Sequence, residues 1–353
     1  MQSGESDACF PLKRNMIDLR SDTVTKPTKG MLEAMFSADV GDDVFGEDPT
    51  INLLEEKGAS MFGMESGLFC PSGTMTNQAA IRVHVRPGDE VICDRTAHIY
   101  NYEGGGVAAN SGASVKVVHG ERGIMTPEMV LRSINPDDYH CPATRLLSIE
   151  NTSNKGGGSI YTLAQMKELS EVARSNDLKV HLDGARIFNA LVELEEDPAS
   201  LGSLFDSISI CLSKGLGAPL GSLLLGNKDF VKKARRIRKL MGGGMRQAGY
   251  AAAAGIYALD NHVERLKQDH ERARQIGAAM QKLTYIESIL PVDTNILIFK
   301  LNGDVDQEKF MRHLKDNDIL TVSLDPQVIR MVTHLDFNDE MTGRSIEVLN
   351  SAG

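Results

Sequence analysis

Three short segments hold residue types whose settings suggest chemistry. Lys214 follows the apolar run Ile210-Cys211-Leu212 and precedes the glycine-rich turn Gly215-Leu216-Gly217. A solvated lysine has no reason to end a buried strand, and an amine held out of water is a nucleophile toward carbonyl carbon. The alternative is a lysine whose stem lies along the strand end while its ammonium snorkels to water. Asp183 ends the run Val180-His181-Leu182 and is followed by Gly184-Ala185-Arg186. A carboxylate in that position is costly without a partner. It either pairs with Arg186 or accepts a hydrogen bond from the protonated nitrogen of a bound heterocycle, which would keep that ring electron-withdrawing. The third segment runs from Cys70 through Pro71, Ser72, Gly73 and Thr74 to Asn77. Ser72 can cap a helix on which Ala79, Ala80 and Val83 recur. Gly73 lets backbone approach a ligand, Thr74 adds a hydroxyl, and the free N–H groups of a helix start favour a phosphate. A simple cap would satisfy the same pattern.

Strands and helices must position these residues. Residues 90–93, 115–118, 146–149, 180–182, 207–210 and 222–225 have the apolar character of short strands. Between the third and fourth of these, Leu163, Met166, Leu169, Val172 and Ala173 share one helical face behind Thr162 as cap, and Asn176-Asp177 ends the helix. Strands separated by helices of this length predict an α/β fold with a mainly parallel sheet. After Gly226 the pattern changes. Helical segments are expected over 228–240 and 246–283, then strands over 295–301, 319–324 and 328–333 with a helix near 307–316. That composition predicts a smaller α+β C-terminal domain. The expected division is an N-terminal extension over 1–16, a large domain over 17–270 and a small domain over 271–353.

The chain of 353 residues is long enough for two such domains, and its 41% hydrophobic and 24% charged residues fit a folded core. A net charge of −10 disfavours nucleic acid and anionic membrane surfaces. The basic run Lys232 to Lys239 is the local exception; it reads as a solvated helix face or as a helix whose last turn faces an anion. Five cysteines without CxxC spacing argue against a disulfide framework or a zinc knuckle, so no metal is expected and a reducing, cytoplasmic location fits. No apolar run reaches the ~18–20 residues of a membrane span. Residues 1–14 lack the features of a signal or transit peptide.

Nine segments, taken in order, resemble the threonine aldolase family of fold-type-I pyridoxal-phosphate enzymes. They begin with Ile17-Asp18-Leu19-Arg20-Ser21-Asp22-Thr23-Val24-Thr25 and Gly41-Asp42-Asp43-Val44-Phe45-Gly46-Glu47-Asp48-Pro49-Thr50. Pro71-Ser72-Gly73-Thr74, Ala97-His98-Ile99-Tyr100 and Leu147-Ser148-Ile149-Glu150-Asn151-Thr152 follow. Next come the segment from Leu182 to Ala190, then Ser213-Lys214-Gly215-Leu216-Gly217. Gly242-Gly243-Gly244-Met245-Arg246-Gln247 and Ile329-Arg330-Met331-Val332-Thr333-His334 complete the set. The resemblance implies a fold-type-I large domain and pyridoxal 5′-phosphate as cofactor. Lys214 would be the Schiff-base lysine and Asp183 the partner of the pyridine nitrogen. Ser72, Gly73 and Thr74 would hold the phosphate. His98 would stack on the ring and take part in proton transfer, and His140 resembles a second family histidine near the substrate hydroxyl.

The same resemblance assigns Arg186 to the cofactor and, with Arg330 and Ser21, to the carboxylate of a small amino acid; a planar guanidinium suits bidentate carboxylate binding. Lys239 and Arg246 would reach the phosphate of a neighbouring subunit, which implies a homo-oligomer with the dimer as minimal unit and commonly a tetramer. The implied reaction is retro-aldol cleavage of L-threonine or L-allo-threonine to glycine and acetaldehyde. Another lyase of the same fold, a β-eliminase or a hydroxymethyltransferase-like enzyme, would share Lys214 and Asp183. This sequence departs from the family at Ser153, where a histidine is usual, and after Asp339, where it fits poorly and is short by about a helix.

Overall fold

The computed structural model describes residues 16–352. The expected N-terminal extension therefore lies outside the described residues except for Met16. A seven-stranded sheet forms the centre. Its spatial order is Ser66–Cys70, Ser222–Gly226, Ser207–Cys211, Lys179–Gly184, Thr144–Glu150, Glu90–Asp94 and Ser114–Val118. The last five strands of that order are parallel to one another, whereas Ser222–Gly226 runs antiparallel to both of its neighbours. Five of the strands (Ser66–Cys70, Glu90–Asp94, Lys179–Gly184, Ser207–Cys211 and Ser222–Gly226) are buried along nearly their whole length, as strands covered by helices on both faces must be. Ser66–Cys70 escapes a sequence reading: with Ser66 and Gly67 it lacks both alternation and a β-branched run.

Local signals set the helices. Leu163–Ser175 begins with a reciprocal cap between Thr162 and Gln165, buries Met166, Leu169 and Ala173, and is followed by Asp177 with a left-handed φ of 57°. Gly73–His84 begins at Ser72, whose hydroxyl accepts from Met75 N at 3.3 Å. The helix expected over 246–283 is two helices, Gly249–Asn261 and Leu266–Met280. Between them buried His262 bonds through Nδ1 to Leu216 O at 2.7 Å, tying the break to the loop that follows Lys214.

The C-terminal part holds a four-stranded antiparallel sheet in the order Val322–Asp325, Val328–Val332, Ile296–Leu301, Ile286–Ile289. The strand expected over 319–324 is divided. Its first half, Ile319–Leu320, leaves this sheet and pairs in parallel with Ile17–Asp18. Helices Gln307–Asp316 and Asp339–Asn350 complete this part, so the poorly matching end of the chain is helical. A core around Phe299, Phe310, Leu314 and Ile329 takes in Ile17 and Leu19 from the start of the chain. No helix among the described residues is long and apolar enough to cross a membrane.

Candidate active site

The carboxyl ends of neighbouring parallel strands converge on one edge of the large sheet, where open α/β sheets bind ligands. Asp183 is the penultimate residue of the strand Lys179–Gly184, Glu150 ends Thr144–Glu150, Lys214 follows Ser207–Cys211, and His98 follows Glu90–Asp94. The helix Gly73–His84 points its N-terminus at the same place. A cavity of about 140 Å³ is lined by Lys214, Asp183, His98, Gly73, Thr74 and Asn77. Thr23, Ala185, Cys211 and Ser213 close it. Amine, carboxylate, imidazole and helix N-terminus thus share one space.

Asp183 is 2% exposed, and Asn77 Nδ2 donates to its Oδ2 at 2.9 Å while Ala185 N donates to Oδ1 at 3.2 Å. The pair with Arg186 that the sequence left open does not form. Arg186 instead makes a two-pronged ion pair with buried Asp22, Nε to Oδ2 and Nη2 to Oδ1, each 2.7 Å. Burial works to raise the Asp22 carboxyl, but Arg186 and the more distant Lys214 bring it down to about 2. His98 is half-buried and bonds through Nδ1 to Glu103 Oε1 at 2.9 Å. Burial disfavours its cation, yet the Glu103 hydrogen bond and the charge of Asp183 outweigh that and lift its pKa above the ordinary value. The backbone N–H of His98 donates to Glu150 Oε2 at 2.6 Å, and Asn154 N donates to Oε1 at 2.8 Å. Burial and the neighbouring Asp183 push Glu150 up to about 7.

Arg330 approaches from the C-terminal sheet. Its Nη1 donates to Asn154 Oδ1 and its Nη2 to Arg20 O, both at 2.9 Å, while its Nε is buried without a partner. Burial and nearby Arg186 make its cation less favourable than usual, so an anion placed there would be welcome. Ser21 Oγ accepts from Thr23 N at 3.2 Å. Three expected residues lie away from the cavity within one chain. The His140 side chain is 70% exposed and bonds to Asp138. Arg246 pairs with Asp42 at 2.8 Å, and Lys239 packs over Gly244.

Residues 18–303 match the family described as Beta-eliminating lyase. The low specificity L-threonine aldolase of Escherichia coli (strain K12) is 43% identical over 326 residues, 92% of this chain and 96% of that protein. The chain belongs to the threonine aldolase family. Low-specificity L-threonine aldolase 1 of Arabidopsis thaliana is 40% identical over 326 residues, 90% of this chain and 91% of that one. The fold agrees with the threonine aldolase of Leishmania major at a TM-score of 0.83, covering 95% of this chain and 99% of that chain at 21% identity.

The residues present fit pyridoxal phosphate. A Cβ on Gly73 would lie 2.5 Å from Cys211 Sγ, so only glycine lets the helix start press this closely against the strand end beside the cavity. The cavity also joins one primary amine and one buried carboxylate, the two groups an aldehyde-bearing pyridine needs. For a threonine aldolase, sequence reasoning found the amine and the acid but missed Asp22, Asn77, Glu103 and Glu150. Asp22, Asn77 and Glu150 stood inside segments already singled out; Glu103 gave no local signal.

Proposed function

We propose that this protein cleaves L-threonine and L-allo-threonine to glycine and acetaldehyde with pyridoxal phosphate as cofactor. The observation that carries this reading is the common cavity of Lys214, Asp183 and His98 at the start of the helix Gly73–His84. When bound, the cofactor supplies an electron sink for the pair of electrons released at the substrate Cα. Lys214 would anchor its aldehyde carbon and Asp183 would keep its ring nitrogen protonated. Ser72, Gly73 and Thr74 would hold its phosphate at the helix N-terminus.

The substrate carboxylate would take the unpartnered Nε of Arg330, beside Arg186 and Ser21. His98, or His140 brought in from another subunit, would accept the β-hydroxyl proton as the Cα–Cβ bond breaks. The hydroxyl carbon leaves as acetaldehyde and Cα takes a proton, which balances threonine against glycine plus acetaldehyde. Proton transfer by a positioned side chain contributes about 10²–10⁴ in rate. Glu103 supports His98 in this role by favouring its protonated form.

A homo-oligomer is part of the proposal, with a dimer as minimal unit and a tetramer as the common form. Lys239 and Arg246 at the end of the basic helix would then serve a neighbour's phosphate. A cytoplasmic location accords with the unpaired cysteines among the described residues. The large domain would extend to about residue 270.

The match to the Beta-eliminating lyase family keeps a second reading in view, elimination from a small amino acid to a keto acid and ammonia. Product analysis separates them: glycine with acetaldehyde supports the aldolase, pyruvate with ammonia the eliminase. Lys214→Ala should abolish glycine formation, and borohydride reduction of the holoenzyme should fix a pyridoxyl group on the peptide containing Lys214. Near-wild-type turnover in the variant would overturn the assignment.

A further inference from the structure

Asp183 stands at the end of a chain of buried polar groups that the reaction above does not use. Asn77 and His84 are seven residues apart on the helix Gly73–His84, two turns on one face. Beneath that face, His181 and Asp183 are two apart on one strand, and His181 is in register with Ser207 on the next. Four hydrogen bonds join them: His84 Nε2 to Ser207 Oγ at 2.8 Å, Ser207 Oγ to His181 Nδ1 at 2.8 Å, His181 Nε2 to Asn77 Oδ1 at 3.1 Å, and Asn77 Nδ2 to Asp183 Oδ2 at 2.9 Å.

Valence fixes the direction of every link. Asn77 Nδ2 faces two carboxylates, Asp183 and, at 2.8 Å, Glu103 Oε1. Only the amide nitrogen can face both, because a carbonyl turned there would oppose two acceptors. The Asn77 oxygen must then accept, so His181 carries its proton on Nε2. A neutral imidazole with that proton has a bare Nδ1, which takes the hydrogen of Ser207. Ser207 has only one hydrogen, so its oxygen accepts from His84 Nε2–H. Burial lowers His181 to about 4 and His84 to about 3, which favours the neutral rings this pattern needs. Stacking on Phe230, with ring centroids 4.8 Å apart, holds the outermost imidazole in its plane.

We propose that His84, Ser207, His181 and Asn77 form a one-way hydrogen-bond relay whose donors all point toward Asp183, making them positioning residues for the carboxylate that faces the cofactor ring. The inference rests on the assignment of Asp183 to that ring nitrogen. The relay keeps one carboxylate edge committed to Asn77 and stabilises the anion, so the shared proton stays on the ring. His84, at the far end of the helix, acts on the site without touching it.

The test uses the holoenzyme labelled with ¹⁵N in histidine, together with equilibrium affinity for pyridoxal phosphate. His181 and His84 should both be neutral with the proton on Nε2. Ser207→Ala should weaken cofactor affinity about fivefold, the worth of an ordinary hydrogen bond. His84→Phe, which keeps a ring over Phe230, should weaken it in the same direction and covers the case of a poorly folding Ser207 variant. Neither change should weaken binding further in an Asp183→Asn background. A proton on His181 Nδ1, or equal losses with and without Asp183, overturns the relay. If Asp183→Asn itself leaves cofactor affinity unchanged, the ring-nitrogen assignment falls and the relay with it; if that variant binds weakly but the two relay variants bind normally, the relay falls alone.

Discussion

The Arg186 guanidinium and the Asp22 carboxylate face each other with both ions withdrawn from water. Removing one partner of such a pair strands the other as a buried charge, at a cost of about 3–5 kcal/mol. Asp22→Asn should therefore lower stability by that order at neutral pH, measured by denaturant unfolding. The pH dependence has a definite sign. The folded carboxyl titrates at about 2, below its ordinary 3.8, so the pair's contribution is complete above about 4 and fades as pH falls toward 2. The Tm gap between wild type and variant should accordingly narrow in that acid range. This partnership was not legible in the sequence, because the two residues are 164 positions apart and nothing local to either one points to the other. Lys214 and Asp183 were legible for the opposite reason: each is an ionisable group directly abutting an apolar strand, an anomaly visible within six residues. Arg186 shows where local reading stops. Its place three residues after Asp183 suggested an ion pair between them, and the fold gives it to Asp22.

At the scale of elements, the helix Gly73–His84 does two things at once: it directs free backbone N–H groups into the cavity and lays Asn77 over Asp183. Both depend on its close approach to the end of the strand Ser207–Cys211. Gly73→Ala should force the helix start or the Cys211 side chain aside, since the added carbon would lie 2.5 Å from sulfur. Overpacking of this kind costs about 1–3 kcal/mol, and pyridoxal phosphate retention on gel filtration should drop with it. The strands between residues 90 and 225 and the helix Leu163–Ser175 were readable because apolar runs and caps are local properties. The division of residues 246–283 into two helices was not. No proline marks the break, and it is set by His262 reaching the distant Leu216 carbonyl. Likewise the separation of Ile319–Leu320 from Val322–Asp325 reflects which sheet each half joins, a tertiary choice.

At the scale of the whole molecule, the first described segments leave large apolar side chains in water. Phe36 is 85% exposed and Phe45 73%, with Leu32, Val44 and Leu53 also exposed along the same stretch, and Leu240 is 78% exposed beside the glycine turn. Such exposure is costly for a monomer and suits a surface covered by a second copy. Phe36→Glu and Phe45→Glu together should shift the sedimentation coefficient toward a monomer and reduce activity in parallel, given the expected reach of Lys239 and Arg246 into a neighbour. An unchanged sedimentation coefficient would show that this surface is not an interface between copies. The pairing of Ile17–Asp18 with Ile319–Leu320 bears on how the protein is made. On a ribosome adding ~5–20 residues per second, the opening strand waits roughly 15–60 s before its mate emerges. Ser21 and Asp22 follow that strand directly, so this end of the proposed site can be assembled only after residues 319 and 320 have been made. A chain cut short before residue 319 should thus leave the segment around Ile17–Asp18 open to protease, and a chain that includes residues 319–320 should protect it.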